Sequence, residues 1–187
     1  MKTLPEVKLT HLGLWVHDLD RMVAFYTRFF GFTLSDRGET RGHRVAFLTL
    51  DPDSHHQVVM EDGRPDKVDF NTIQQISFKT NGLAGVRAYW KALQSEPVTG
   101  IRPITHGNAW SVYFQDPEDN RTEIYCDTPW HVAQPFGVEI DYSLSEAEIM
   151  RITQDMIRNS PTYSSFEEFR RETARKIGAT RAPASAK

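Results

Sequence analysis

The stretch HLGLWVHDLDRMVAFYTRFFG, residues 11–31, decides the fold of this chain. Its first six residues are rich in strand formers and alternate in character, which predicts a short β-strand. Apolar residues then recur at helical spacing, Asp18 stands where a helix N-cap is expected, and Gly31 stands where the helix would end. We therefore expect a strand followed directly by an amphipathic helix.

The same order of elements occurs twice along the chain. Three short strand-like runs separated by turn residues follow the first helix, and the second half again gives a strand, an amphipathic helix and three strands. Both final hairpins carry the same turn signal, Asp51-Pro52-Asp53 in the first half and Asp116-Pro117-Glu118 in the second. The segments of the second half are QISFKT (75–80), LAGVRAYWKALQSE (83–96), a strand around IRPIT, WSVYFQD and RTEIYCD.

This repeat predicts an α+β fold of two βαβββ modules, residues 9–62 and 72–127, in a single domain over 9–127. One module cannot cover both faces of its sheet, so we expect the two to pack around a shared cleft. Residues 128–178 predict an extended arm and C-terminal helices, with capping boxes at Ser145/Glu148 and Ser165/Glu168. We expect the tail either to cover the cleft mouth or a second protomer, or to pack on the outside of the sheet, and we expect residues 179–187 to be disordered.

Composition narrows the classes of function. The chain has 187 residues and a net charge of −3, which gives no reason to expect nucleic acid or an anionic membrane as a partner. No apolar run approaches the roughly 20 residues that span a bilayer. The single cysteine, Cys126, excludes an internal disulfide and is typical of the reducing cytoplasm, where we expect the protein.

Three polar residues are candidates for a metal site. His11 and Gln75 begin the first strands of the two modules, and Glu123 lies in the last strand of the second module on the same face as Tyr125. If the modules are related by a pseudo-twofold axis, the first two residues face each other across the cleft. A carboxylate completes three ligands and leaves positions open for substrate.

Two segments resemble a known family. HGNAWSVYFQDPEDNRTEIY, residues 106–125, resembles the C-terminal signature of type I extradiol ring-cleaving dioxygenases, which belong to the vicinal oxygen chelate superfamily. HLGLWVHDLDRMVAFYTRFFGF, residues 11–32, resembles the opening strand and helix of the whole superfamily, which includes glyoxalases and antibiotic-resistance proteins.

The resemblance implies roles for individual residues. It makes His11 and Glu123 metal ligands, and it makes His106 and Tyr113 the pair that holds a catecholic oxygen. A catalytic His that moves protons falls on His56, or on its neighbour His55 if the register slips by one residue. Among the aromatic residues of the strands, Trp15, Trp110 and Phe47 either face a flat ring substrate or belong to the core, and both interpretations stay open.

Gln75 departs from the extradiol pattern, which has a second His at this position. Three interpretations stay open. Gln75 ligates through its amide oxygen, as in glyoxalase-type sites; or it is displaced, with water or His56 in its place; or the metal site is lost and the protein only binds small molecules.

The resemblance implies an extradiol-type dioxygenase that uses a divalent metal, Fe(II) first and Mn(II), Zn(II) or Ni(II) as alternatives. Its partners would be a small aromatic substrate and O2, and a homodimer is expected because superfamily members often pair. The rival functions are a glyoxalase-like lyase or isomerase, and a metal-free protein that sequesters a drug. The lyase should carry a second carboxylate ligand, but Glu61 lies beyond the equivalent position in the first module.

Overall fold

A computed structural model describes residues 7–67 and 70–181. The chain divides into two compact units, Met1–Thr72 and Ile73–Lys187. Each unit contains one βαβββ module, and the C-terminal helices belong to the second unit, so the predicted α+β repeat and helical tail are confirmed. The shared cleft between the modules stays a prediction.

The first unit is a four-stranded sheet with a helix on one face. Strand order is β1-β4-β3-β2, with β1 parallel to β4 and the other neighbours antiparallel. Apolar residues at alternate strand positions, such as Leu14, Val16 and Met60, are buried on the face that α1 covers. The elements are β1 Leu12–Val16, α1 Leu19–Phe25, β2 Thr33–Thr40, β3 His43–Thr49 and β4 Val58–Asp62.

The helix of the first module has the expected N-terminus but a changed last turn. Asp18 accepts a hydrogen bond from the Arg21 backbone at 3.0 Å, as an N-cap should. After Phe25 the chain continues as a π-helical turn, Tyr26–Phe30, which ends at Gly31 with φ of 79°. The Thr27 hydroxyl donates to the Val23 carbonyl at 2.8 Å where the helix changes, a side-chain bond that competes with regular helix geometry.

The second unit is a five-stranded sheet in the order β10-β6-β7-β8-β5, with β5 parallel to β8. Helix α2 covers one face of β6, β7 and β8. Strand β10, from the tail, pairs antiparallel with the free edge of β6. The elements are β5 Ile76–Lys79, α2 Leu83–Leu93, β6 Thr99–Thr105, β7 Ala109–Gln115, β8 Arg121–Asp127 and β10 Val138–Glu139.

The tail packs on the second module. Both predicted capping boxes form, because Ser145 and Glu148 exchange hydrogen bonds at the start of α3 (Glu146–Ile157), and Ser165 and Glu168 do so at α4 (Phe166–Arg181). The Trp110 indole of β7 donates a hydrogen bond to the buried Thr153 hydroxyl of α3, so α3 lies on the same side of the sheet as α2. This agrees with the interpretation in which the tail helices pack on the outside of the sheet. The short strands β9 (Trp130–His131) and β11 (Ser164–Ser165) pair antiparallel, so they connect the start of the arm to the residues just before α4.

The tail helix is longer than the sequence predicts. It continues to Arg181, past the expected boundary at residue 178. Residues 182–187, where disorder is expected, lie outside the described residues. Nowhere in the described ranges does a helix have both the length and the apolar character that a membrane span requires.

Candidate functional site

Glu123 is the buried polar centre of the second unit. It lies on β8, on the face opposite α2, with 7% of its surface exposed. The parallel register sets Ser77 of β5 beside it, and Ser77 Oγ donates to Glu123 Oε2 at 2.5 Å. A buried carboxylate needs such donors, because an unpaired buried charge is unfavourable. No sequence motif marks Ser77 as a functional residue, and only the strand register reveals its contact with Glu123.

Gln75 joins the same cluster from the residue that precedes β5. Its Nε2 lies 3.0 Å from both Glu123 Oε2 and Ser77 Oγ. His11 holds the matching place in the first unit, one residue before β1. The amide nitrogen of Gln75 anchors the carboxylate, which leaves the amide oxygen as the arm that can ligate a cation. The three interpretations of Gln75 remain predictions.

Tyr113 and His106 form a hydrogen-bonded pair on the same face. Tyr113 is the cross-strand partner of Glu123, and its hydroxyl lies 2.9 Å from His106 Nε2. His106 Nδ1 lies 2.7 Å from the Phe136 carbonyl, which can only accept, so a neutral His106 carries its proton on Nδ1, and its Nε2 accepts a hydrogen bond from the Tyr113 hydroxyl. Burial, followed by the contact with Glu123, raises the pKa of Tyr113, so the phenol stays protonated.

The tail arm orients His106. The ring of His106 contacts the Phe136 carbonyl through Nδ1. In addition, the backbone carbonyl of His106 accepts a hydrogen bond from Gln134 Nε2 at 2.8 Å. The next residue, Gly107, adopts φ of 72° and has Val132 and Ile157 close to where a Cβ would stand. These contacts could not be predicted from the sequence, because a segment without hydrophobic periodicity does not indicate which surface it packs against.

The histidine cluster of the first unit contains His11 and His56. Their ring centroids lie 4.4 Å apart, and the Phe47 ring centroid lies 5.1 Å from that of His56. Burial lowers the pKa of His56, and the neighbouring imidazoles of His11 and His55 lower it further. Exposed His55 reaches Asp36 at 4.0 Å. This arrangement favours His56 over His55 as the residue that shares a site with His11, and the assignment stays a prediction.

The two parallel strand pairs make the modules directly comparable. Ser77 pairs with Glu123 in one unit and Gly13 pairs with Val59 in the other, so Val59 is the counterpart of Glu123. Glu61 lies two residues further along β4, as the sequence indicated. The first module therefore has an apolar residue where a glyoxalase-like site with two carboxylate ligands would need an acid.

The three candidate aromatic residues have different surroundings. Trp110 is 3% exposed and donates from its indole nitrogen to Thr153 at 2.8 Å, so of the two interpretations it takes the core position, between sheet and tail. Alternation along β7 puts it opposite Tyr113. Trp15 is 49% exposed and Phe47 is half-buried beside His56. His131 of the tail arm stacks on Phe169 with ring centroids 4.1 Å apart.

The donor set suits a divalent metal. The predicted ligands are an imidazole from His11, an amide oxygen from Gln75 and a carboxylate from Glu123, which are groups that Mn(II), Fe(II) and Zn(II) accept. Within the second unit, the atom of Gln75 that lies 3.0 Å from Glu123 Oε2 is the amide nitrogen. Across residues 7–67 and 70–181, no three side chains of the His, Cys, Asp and Glu types gather in a way that could hold a metal ion. The proposed trio contains an amide, which is not among those four types.

Known proteins resemble the chain in sequence and in fold. Biphenyl-2,3-diol 1,2-dioxygenase 2 of Rhodococcus globerulus is 25% identical over 118 residues, which are 54% of this chain and 61% of that protein. A domain from Frankia sp. EAN1pec described as glyoxylase/bleomycin resistance protein/dioxygenase superposes with a TM-score of 0.56 at 21% identity, covering 67% of this chain and 93% of that one. The fosfomycin resistance protein FosX of Listeria monocytogenes, solved with Mn(II) and sulfate, gives 0.53 at 20% identity, covering 66% and 95%.

These likenesses agree with the two modules seen in the structure. The solved structures share the fold, and the Rhodococcus globerulus enzyme is matched over less than two thirds of its length. A family model matches residues 8–124, which include the first module, nearly all of the second and Glu123. The chain therefore belongs to the Glyoxalase/Bleomycin resistance protein/Dioxygenase superfamily.

Proposed function

We propose that this protein is a divalent-metal-dependent dioxygenase that opens a catechol-type aromatic ring next to its hydroxyls. The observation that carries the proposal is the buried Glu123, held by Gln75 and Ser77. The Tyr113–His106 pair lies on the same face of the sheet. The Rhodococcus globerulus relative, whose name gives a catechol as substrate, supports this choice of reaction.

The metal would be held by His11, Gln75 and Glu123. When bound, Fe(II) or Mn(II) supplies charge to stabilise a deprotonated catechol and a route for electrons between ring and O2. The Mn(II) in the FosX structure supports a metal in this family, and Fe(II) is our first choice because of the resemblance to extradiol enzymes.

The residues around the site would handle protons and orientation. His56 has a lowered pKa, so its imidazole is neutral at physiological pH and can accept a proton from a catechol hydroxyl. Tyr113 keeps its own proton and can turn its hydroxyl from His106 towards a substrate oxygen. His106, fixed by the Phe136 carbonyl, is then free at Nε2 to accept a hydrogen bond from a substrate hydroxyl that still carries its proton.

A glyoxalase-like lyase is the main rival, and a metal-free binding protein is the second. Val59 occupies the position in the first module that Glu123 occupies in the second, and an apolar residue there argues against a site with two carboxylate ligands. A protein that only sequesters a drug has no need for a buried carboxylate with two donors beside a Tyr–His pair. Both observations favour the dioxygenase.

The test begins with metal content of the purified protein. Anaerobic loading with Fe(II) or Mn(II) should be followed by O2 uptake on catechol, 3-methylcatechol and biphenyl-2,3-diol. Glu123→Gln should abolish uptake and weaken metal binding, whereas Glu139→Gln, an exposed glutamate of β10, should change neither. Gln75→His should raise affinity for Fe(II), because imidazole is a better ligand than an amide oxygen. Stoichiometric metal without uptake on any catechol would refute the dioxygenase and leave the metal site standing.

A further inference from the structure

Arg121 is a partly buried arginine at the start of β8, in the second unit. Side chains repeat every two residues along a strand, so Arg121 lies on the same face of the sheet as Glu123. Its guanidinium carbon lies over the ring of Tyr113, 4.5 Å from the ring centroid. A positive charge therefore lies beside the phenol that we assign to the orientation of substrate.

The rest of the described chain does not use the hydrogen-bond donors of Arg121. Within residues 7–67 and 70–181, its guanidinium contacts the Tyr113 ring and has neither a hydrogen-bond acceptor nor a carboxylate at ion-pair distance. Arg87, another partly buried arginine of this unit, donates to the Tyr142 carbonyl at 3.1 Å and lies 3.6 Å from Glu146. A guanidinium has five N–H donors, and partial burial without an acceptor is unfavourable. Arg121 is therefore available to an anionic group that is not part of the protein.

The spacing between Arg121 and Glu123 matches a small aromatic acid. Two residues of a strand span about 7 Å, which is close to the length of a benzene ring with oxygen-bearing substituents at opposite ends. A catechol whose hydroxyls lie at the metal proposed on Glu123 can place the opposite end of its ring along β8. A carboxylate at that end meets the guanidinium, which binds carboxylates through two parallel hydrogen bonds.

We propose that Arg121 selects a substrate with an anionic group, a catechol that carries a carboxylate on the ring carbon opposite one of its hydroxyls. The inference rests on the proposed dioxygenase function, because it names the substrate class of the same site. The charges of the site agree with it. Glu123 neutralises only half the charge of a divalent metal, and Arg121 adds another positive charge. An uncharged catechol leaves the guanidinium without an acceptor.

The test compares 3,4-dihydroxybenzoate with its methyl ester, which has the same ring and nearly the same size but no charge. The full chain, loaded with Mn(II), is titrated with each compound under anaerobic conditions by calorimetry, and O2 uptake is then measured. We expect the acid to bind about tenfold or more tightly and to have a kcat/KM higher by a similar factor, the gain from one charge-assisted contact. Equal affinity for acid and ester would overturn the proposal, with or without turnover.

Variants assign the preference to the arginine. Arg121→Gln should weaken binding of the acid about tenfold or more and leave the Kd of the ester within about twofold. Arg121→Lys keeps the charge without the forked geometry and should retain part of the preference. An equal loss for acid and ester in Arg121→Gln would mean that Arg121 only supports Tyr113, which refutes the proposal.

Arg102→Gln is the matched control for the loss of a positive charge. Arg102 is the cross-strand partner of Tyr113 on β6, but its side chain is 62% exposed and already lies 3.5 Å from Glu139. Its removal should change both Kd values by less than about twofold, as expected for a screened surface charge. Equal weakening of the acid in Arg102→Gln and Arg121→Gln would contradict a specific contact at Arg121.

The outcomes separate this inference from the proposed reaction. Tighter binding of the acid that depends on Arg121, without O2 uptake on any catechol, would refute the dioxygenase and support the anion site. O2 uptake with equal kcat/KM on acid and ester, unchanged in Arg121→Gln, would refute the anion site and support the dioxygenase. The cationic analogue 3,4-dihydroxyphenethylamine should bind more weakly than the ester, because its ammonium group is repelled by the guanidinium; tighter binding would contradict the proposal.

Discussion

Ser77 Oγ and Glu123 Oε2 lie 2.5 Å apart across the parallel pair β5–β8, although 46 residues separate them in the chain. Glu123 thus receives its shortest hydrogen bond from a residue that carries no charge and lies two positions after Gln75. The bond fixes the direction of the carboxylate before any ligand arrives, and this kind of support tunes metal sites.

Ser77→Ala should weaken divalent-metal binding about tenfold or more, because outer contacts to a ligating carboxylate typically contribute that much. The free energy of unfolding should fall by only about 1 kcal/mol, the usual value of one hydrogen bond. Calorimetric titration with Mn(II) and urea unfolding measure the two quantities. Ser77→Thr keeps the hydroxyl and should behave like the parent. An unchanged Mn(II) affinity in Ser77→Ala would separate this bond from the metal site.

Tyr113→Phe should lower turnover on a catechol about a hundredfold while metal affinity stays unchanged, because the hydroxyl acts on substrate oxygen rather than on the metal. Steady-state O2 uptake and Mn(II) titration test the two halves of this statement. Tyr125→Phe, on the same face two residues beyond Glu123, is the control and should retain turnover. Parallel losses in the two variants would point to general damage to the face.

The Trp110–Thr153 bond should be a measurable part of the docking of α3. Trp110→Phe and Thr153→Val should each lower the free energy of unfolding by about 1–3 kcal/mol, because each leaves one buried polar group unpaired. The double variant should lose less than the sum, because it removes both groups of the pair. Urea unfolding of the four proteins gives the coupling energy. Strict additivity would mean that the 2.8 Å contact contributes nothing of its own.

Cys126 should be inert in the folded protein. Burial raises the pKa of its thiol from the usual 9.0 to about 12, so thiolate is scarce at pH 8. A disulfide reagent such as DTNB should react slowly with the native protein. In guanidinium, where the protein is unfolded, it should react at once with one thiol per chain, and Cys126→Ala serves as the blank. Rapid reaction of the native protein at pH 8 would contradict the burial of this side chain.

The same shift makes stability depend on pH. Because the folded state holds the thiol proton more tightly than the unfolded state, its contribution is complete below pH 9 and is lost as the pH rises towards about 12. Parent protein should therefore lose more stability than Cys126→Ala between pH 8.5 and 10 in urea unfolding, with the pH values chosen around the ordinary thiol pKa. A parallel decline in both proteins would exclude the thiol as the cause.

Several features follow from the sequence by itself. The helix ends are local features, because each depends on residues no more than four positions apart, and their spacing can be recognised in the sequence. They are the Asp18 cap, the glycine at position 31 and the two Ser–Glu capping boxes. The βαβββ order follows from the local hydrophobic periodicity, which gives the same series of elements in each half of the chain. Alternation also places Glu123 and Tyr125 on a common face, since side chains in a strand repeat every two residues.

Tertiary structure alone decided which neighbours these side chains have. Periodicity tells which residues share a face, but not which strand lies beside another, so the Ser77–Glu123 bond needed the β5–β8 register. The Phe136 carbonyl that contacts the His106 ring lies 30 residues further along the chain, in an arm that shows no hydrophobic periodicity. The core position of Trp110 required α3, because the Thr153 hydroxyl that accepts its indole hydrogen bond lies on that helix. Local sequence sets conformation through short-range sterics and hydrogen bonds, whereas partners distant in the chain are chosen by packing.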